Sequence, residues 1–188
     1  MVESAPPTVL PSVQISTGVC EAVSVDQRVK TETVLSNAQR TTPMKLKGTY
    51  NIRSSPEDVF DFITDPNKIG KCLPDLKSLE MQGEDQFTAT VRFGIGFVKG
   101  DFTFRVTIAE RKRPTHVLLT GYGTGTGSEA TMDIRIGLHD ITDGTSFAYE
   151  ADVKLSGMIA GLAQRLIERF VEKTVSNLFE CIRHELEK

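Results

Sequence analysis

Apolar and polar residues alternate along several successive segments between residues 87 and 155. In the segment from Phe102 to Ile108, for example, every second residue is apolar and the residues between them are polar. This period of two is typical of strands with one buried and one solvated face. Turn signals at Lys99-Gly100 and Asp143-Gly144 separate neighbouring segments. The pattern therefore predicts an antiparallel sheet with one dry face and one wet face.

Two short helices are predicted between the first strand and the rest of the sheet. A weakly alternating segment from Lys45 to Ile52 is predicted to be that first strand. Ser55-Pro56-Glu57-Asp58 then supplies an N-cap, a proline at the first helical position and acidic residues in the first turn. Asp65-Pro66 repeats the start signal for a second short helix, which we expect to end near Leu73-Pro74.

A long helix is predicted at the C-terminus, from Met158 to Lys188, because apolar residues recur there at i, i+3, i+4 and i+7. At 1.5 Å per residue it would be about 45 Å long, enough to cross a sheet. It is the only predicted element large enough to cover the dry face. The predicted fold class is α+β, with a curved antiparallel sheet of about six to seven strands wrapped around this helix and a cavity between them.

The chain divides into two regions of different composition. Residues 1–43 are rich in Ser, Thr, Val, Pro and Gln and show no sustained period, which predicts a disordered N-terminal extension. Residues 44–188 are expected to form one ligand-binding domain, long enough to bury a substantial core.

Charge and hydropathy exclude several classes of function. The chain has 22 Lys+Arg against 25 Asp+Glu, and its densest basic run, Arg111-Lys112-Arg113, is interpreted as a solvated turn, so nucleic acid is not an expected partner. No stretch approaches the roughly 20 apolar residues that span a bilayer, and no secretory signal is recognised. We expect a cytoplasmic protein whose contact with a membrane is at most peripheral, at the inner face of the cell membrane.

The cysteines and histidines do not form recognisable sites. Cys20, Cys72 and Cys181 are too few and too scattered for a disulfide framework or a Cys-x-x-Cys metal site, so we expect buried or inert thiols in a reducing compartment. His184-Glu185 begins like the zinc pattern H-E-x-x-H, but Lys188 replaces the second histidine. No metal site and no tightly bound cofactor are expected.

Nucleotide binding and catalysis also lack a complete motif. The glycine-rich run has Gly121 and Gly123, but Thr126 stands where a G-x-G-x-x-G fingerprint needs glycine. These glycines are better explained as places where the sheet bends or a pocket mouth stays open. No serine or cysteine has a histidine and an acid near it in the sequence, so no catalytic residues are assigned.

The inward registers of the predicted strands suggest an apolar pocket. They are almost wholly apolar, with Tyr122 and Tyr149 as the main polar groups. An isoprenoid tail would gain roughly 0.8 kcal/mol for each methylene buried there; alternatively, the same side chains simply pack against one another. The candidate lining residues are Phe93, Phe97, Phe104, Tyr122, Met132, Ile134, Tyr149, Leu162, Leu166 and Phe170.

Several motifs occur in a definite order between Met44 and Ile182. They are Ser55 to Phe60 with Asp65-Pro66, Cys72 to Glu80, Val98 to Phe102, the glycines from Gly121 to Gly127, Gly144-Thr145 with Phe147 and Tyr149, and Ser156 to Ala160 with Arg165 to Ile167. In order and spacing they resemble the CoxG family, which is named for a subunit of carbon monoxide dehydrogenase and belongs to the START-like (SRPBCC), helix-grip superfamily. Two features depart from the family pattern: Asp75 stands where the family often has glycine, and residues 1–43 have no counterpart.

The resemblance implies a helix-grip protein with an apolar pocket for a quinone or lipid. It also implies a partner, a molybdenum hydroxylase of the carbon monoxide dehydrogenase type, which the protein would help to tether to the membrane or to connect with quinone. Two alternatives stay open. A cofactor-free polyketide cyclase or dehydratase would need an acid or base in the pocket, and a ligand-free structural adaptor or maturation factor would have a filled core and an exposed apolar patch.

Overall fold

The computed structural model describes residues 41–188, which form a seven-stranded antiparallel sheet and three α-helices. The predicted α+β helix-grip fold class is confirmed. The prediction of disorder for residues 1–43 falls mostly on residues 1–40, which lie outside the described part. The elements are β1 (Thr42–Ile52), α1 (Pro56–Ile63), α2 (Pro66–Gly70), β2 (Leu76–Met81), β3 (Gln86–Ile95), β4 (Val98–Lys112), β5 (His116–Gly125), β6 (Ser128–Ile141), β7 (Gly144–Gly157) and α3 (Gln164–Leu186).

The strands follow the order β1-β7-β6-β5-β4-β3-β2, so β2 to β7 form a meander and β1 pairs with the last strand. The register of β1 on β7 runs from Thr42 opposite Leu155 to Ile52 opposite Thr145. β1 therefore begins slightly before the predicted Lys45. Because β1 and β2 lie at opposite edges of the sheet, α1 and α2 carry the chain from one edge to the other.

The helix-start signals of α1 and α2 act as predicted. The Ser55 side chain accepts a hydrogen bond from the backbone N–H of Asp58 at 3.2 Å, and the Asp65 side chain accepts one from Asn67 at 2.9 Å. The bidentate ion pair of Arg113 with Asp61, at 2.7 Å for its shorter bond, ties α1 to the turn between β4 and β5.

The segment after α2 contains the residue at which the sequence departs from the family pattern. Asp75 has a φ of 55°, in the left-handed region that favours glycine. An aspartate is among the residues that tolerate this conformation. The residue thus preserves the turn into β2 without a glycine.

The C-terminal helix is shorter than predicted. α3 begins at Gln164 instead of Met158, and a single 3₁₀ turn, Ile159–Gly161, precedes it. The preceding Gly157 has a φ of 74°, and Leu162 is extended, so the apolar periodicity of this region continues through backbone that is not α-helical. With 23 residues, α3 is about 35 Å long. Among residues 41–188, no helix is long and apolar enough to cross a membrane.

The buried side chains form two separate clusters between the helices and the sheet. The first cluster joins Phe179 and Ile182 of α3 to α1 and to one end of the strands. The second cluster joins Ile167 of α3 to the opposite strand ends, including Val98 and Phe102. α3 is therefore held on the sheet near each of its ends.

The prediction of free thiols is wrong for two of the three cysteines. Cys72, which follows α2, and Cys181 of α3 form a disulfide, with Cα atoms 5.4 Å apart. The pairing links residues 109 positions apart, so it depends on the tertiary fold rather than on sequence spacing. Because disulfides are typical of oxidising compartments, the cysteine content no longer argues for a reducing one. Cys20 lies outside the described residues.

Replacing both Cys72 and Cys181 by alanine should lower the free energy of unfolding by about 3–5 kcal/mol, because the disulfide closes a long loop in the unfolded chain. Urea unfolding monitored by circular dichroism measures the change, and a thiol reductant should shift the wild-type protein in the same direction. The double variant is also the control for the reductant, which should leave its urea midpoint unchanged. Equal midpoints for the double variant and the wild type would contradict the prediction.

Candidate functional site

The concave face of the sheet is less well covered in its middle than at either end. Apolar side chains between the two buried clusters point inward but remain partly exposed to solvent, so α3 does not seal this part of the sheet. We call this partly covered apolar surface the inner gap. It is lined by Leu46, Val106, Leu119, Met132, Ile134, Tyr149 and Val153 of the sheet and by Phe170, Val171 and Val175 of α3, with Tyr50 at one end and Phe93 and Phe104 at the other.

Inward-facing glycines form part of the floor of the inner gap. A Cβ atom at Gly48 would lie 2.6 Å from Cε1 of Tyr149, whose ring crosses this position from the neighbouring strand. A Cβ atom at Gly121 would lie 2.8 Å from Cγ of Met132 in the same way. Because the side chains lie on glycine backbone, they stay close to the sheet and leave the space above them to the gap.

Aromatic rings mark the two ends of the inner gap. At one end, Tyr50 stacks on Phe179 of α3 with ring centroids 3.8 Å apart, and Tyr149 lies nearly parallel to Tyr50 at 6.4 Å. At the other end, the ring of Phe93 meets that of Phe170 of α3 edge to face at 6.3 Å. The rings thus connect the sheet to the helix on both sides of the gap.

The structure brings most of the predicted pocket residues together. The inner gap contains Phe93, Phe104, Met132, Ile134, Tyr149 and Phe170. Leu162 is buried in the second cluster, beside the gap rather than in it.

The assignment of Tyr122 to the pocket is wrong. Tyr122 lies opposite Arg105 and Thr131 on the outer face of the sheet, and its side chain is 44% exposed. Its pKa is raised, first by partial burial and then by the neighbouring Glu129, which also lies on this outer face. The inward positions beside it are occupied by Gly121 and Gly123, which carry no side chain.

The assignments of Phe97 and Leu166 to the interior are also wrong. Phe97 lies in the turn between β3 and β4 and is 77% exposed, while Leu166, in the first turn of α3, is 44% exposed. Met158, 51% exposed, lies beside the neighbouring β5–β6 turn at Gly127. We call Phe97, Met158 and Leu166 the apolar rim, because they lie at the end of the molecule next to the second cluster.

Sequence reasoning missed the contribution of β1 to the site. Tyr50 and Leu46 face inward from this strand and pack beside the first and second clusters, respectively. The alternation from Met44 through Leu46 to Ile52 could have identified both residues as inward-facing. The glycine at position 48 interrupts the apolar side of that pattern and weakens the signal.

Tyr149 is a titratable group of the inner gap, and its surroundings shift its pKa. Burial raises the pKa of its hydroxyl above the ordinary value of 10.0, and the nearby Tyr50 raises it further. The Tyr149 hydroxyl is therefore protonated at neutral pH and able to donate a hydrogen bond. Within residues 41–188, no group of three His, Cys, Asp or Glu side chains could hold a metal ion.

A polar groove of about 560 Å³ lies at the end of the molecule away from the apolar rim. It runs between the C-terminal end of α3 and the β6–β7 turn. Two of its charged side chains are engaged with backbone: Arg183 donates to the carbonyl oxygen of Asn51 at 3.1 Å, and Glu187 accepts from the N–H of Arg53 at 2.9 Å. We interpret these contacts as the attachment of the helix end to β1.

The fold, one helix laid over an antiparallel sheet, is shared with known proteins. The model of the CoxG family, whose members are described as a subunit of carbon monoxide dehydrogenase, matches residues 48–187. The chain belongs to the CoxG family. Comparison with curated proteins found no match.

Solved structures agree with the fold of this CoxG-family protein. A conserved protein from Geobacillus kaustophilus has a TM-score of 0.72 at 28% identity, covering 77% of this chain and 95% of that one. A START superfamily protein from Mycobacterium smegmatis has a TM-score of 0.58 at 10% identity, covering 76% and 97%. The Zhui aromatase/cyclase from a Streptomyces species has a TM-score of 0.58 at 12% identity, covering 78% and 94%. For the last two structures, the similarity shows a shared fold and nothing more.

Absorbance titration at the phenolate band should show Tyr149 ionising above pH 10, as the difference between the wild type and Tyr149→Phe. Because the folded-state pKa is raised, the stability contributed by the neutral hydroxyl is fully present below the unfolded value of 10.0 and is lost as the pH rises through the folded value. A difference titration with its midpoint at or below pH 10 would contradict the described environment.

Proposed function

We propose that this CoxG-family protein binds a hydrophobic small molecule, a quinone or a lipid, in the inner gap. The observation that carries the proposal is the set of inward-facing apolar side chains left partly exposed between two buried clusters. Apolar surface that a protein leaves open in its interior is favourable to cover, at roughly 25 cal/mol per Å². An elongated apolar ligand under α3 would complete the core.

A binding role is favoured over a catalytic one by the chemistry of the lining. Within residues 41–188, neither the inner gap nor the two clusters beside it contain Asp, Glu, Lys, Arg or His. A cyclase or dehydratase needs a group that takes up or releases a proton near neutral pH, whereas the hydroxyl of Tyr149 holds its proton. The proposal accordingly assigns no catalytic residue and no tightly bound cofactor.

The family name suggests the partner. We propose that the protein serves a molybdenum hydroxylase of the carbon monoxide dehydrogenase type, by carrying quinone for its electrons or by tethering it to the membrane. A carrier of this kind must exchange its ligand with a bilayer. The apolar rim, at one end of the sheet and helix, is the surface that we propose for this peripheral contact.

Ligand retention tests the binding proposal. The full chain, incubated with a long-chain naphthoquinone or with phosphatidylglycerol and then gel-filtered, should retain close to one molecule per chain by mass spectrometry of the organic extract. Met132→Trp should reduce retention at least about ten-fold, because the indole is bulkier than the methionine chain that lies across Gly121 and extends into the gap.

Thr131→Trp is the matched control, since Thr131 is the preceding residue on the outer face of the same strand. It should retain as much ligand as the wild type, and thermal unfolding should confirm that both variants are folded. Failure of the wild type to retain either compound would overturn the binding proposal.

Vesicle sedimentation tests the contact with the membrane. Phe97→Asp and Leu166→Asp should each weaken binding to vesicles of phosphatidylcholine and phosphatidylglycerol about ten-fold or more, because an exposed apolar side chain that inserts contributes about 1.5–3 kcal/mol. Met81→Asp is the control: Met81 is 44% exposed at the end of β2, away from the rim. Equal losses in all three variants would exclude the rim as the contact surface.

A further inference from the structure

Two tyrosines from neighbouring strands lie at the end of the inner gap that adjoins the first cluster. Tyr50 of β1 is held by its stack on Phe179, 3.8 Å between ring centroids. Tyr149 of β7 is held by its position across Gly48, where its hydroxyl oxygen would lie 3.1 Å from an added Cβ atom. Both rings are thus positioned by packing contacts.

Neither tyrosine hydroxyl has a hydrogen-bond partner among residues 41–188. Every side-chain hydrogen bond in this part of the chain involves other groups. Both tyrosines are half-buried, and neither hydroxyl is among the fully buried polar atoms that lack a partner, so the two hydroxyls are accessible to a bound molecule. The two rings lie nearly parallel with their centroids 6.4 Å apart, so their hydroxyls form one polar point at this end of an otherwise apolar gap.

The surroundings of this polar point select the kind of group that it can bind. A tyrosine hydroxyl both donates and accepts a hydrogen bond, so it suits a carbonyl or hydroxyl oxygen. A carboxylate or phosphate buried here would have no cation to pair with, because Lys, Arg and His are absent from the described lining of the gap and its clusters. An uncharged oxygen is therefore favoured over an anionic head group.

We propose that Tyr50 and Tyr149 together bind the uncharged oxygen of an amphiphilic ligand, such as a quinone or ketone carbonyl, and so set its orientation in the gap. The inference rests on the proposed ligand-binding function and adds to it a polar recognition site and a direction. The oxygen-bearing head lies against the two hydroxyls, and the apolar tail extends past Met132 and Phe170 toward the apolar rim.

Two probes of similar size and shape, one with two carbonyl oxygens and one with none, test this assignment. The full chain is titrated with 2-decyl-1,4-naphthoquinone and with 2-decylnaphthalene, using displacement of a fluorescent apolar dye. Tyr50→Phe and Tyr149→Phe should each weaken quinone binding about three- to ten-fold, the range expected for loss of one hydrogen bond. Binding of 2-decylnaphthalene should change less than two-fold, because phenylalanine keeps the rings.

Tyr122→Phe is the matched control, since Tyr122 is the remaining tyrosine and lies on the outer face. It should bind both probes as the wild type does. A double variant of Tyr50 and Tyr149 that binds the naphthoquinone as tightly as the wild type would overturn the inference, as would equal losses for both probes. Failure of the wild-type chain to bind either probe would instead overturn the proposed function and this inference with it.

Discussion

The contact of α3 with the inner face of the sheet is the constraint on which the rest of this structure depends. α3 is buried against the sheet near its ends, at Ile167 on one side and at Phe179 and Ile182 on the other. Its middle, from Phe170 to Val175, stands over apolar strand residues without sealing them. The same geometry therefore produces both the stability of the domain and its inner gap.

Contacts on both sides of the inner gap hold the middle of α3 away from the sheet. The aromatic contacts of Phe179 with Tyr50 and of Phe170 with Phe93 hold the helix over the sheet. The disulfide of Cys181 with Cys72 adds a covalent link near one end of α3. Glycine at positions 48 and 121 lets Tyr149 and Met132 lie flat. A larger residue at either position would raise these side chains into the space that a ligand would use.

The sheet, the two short helices and the family can be predicted from the sequence, because strand alternation and helix caps are local signals. The prediction for Tyr122 fails for a local reason as well. Leu119, Gly121 and Gly123 share the inward face of β5, but glycine has no side chain, so the alternation that places Tyr122 on the outer face is not visible in the sequence. The predicted start of α3 is too early because apolar spacing persists through the extended backbone at Leu162. The disulfide and the stack of Tyr50 on Phe179 join residues more than 100 positions apart, and no local pattern encodes them.

The strand order has a consequence for how the chain reaches this structure. β1 is the first of the described strands to leave the ribosome, yet within residues 41–188 it pairs only with β7, with Thr42 opposite Leu155. The hairpins from β2 to β7 close only short loops. Pairing of β1 with β7 closes a loop of almost the whole domain and therefore has the largest cost in chain entropy. During synthesis, β1 therefore cannot pair with β7 until that last strand has emerged, and this pairing completes the sheet.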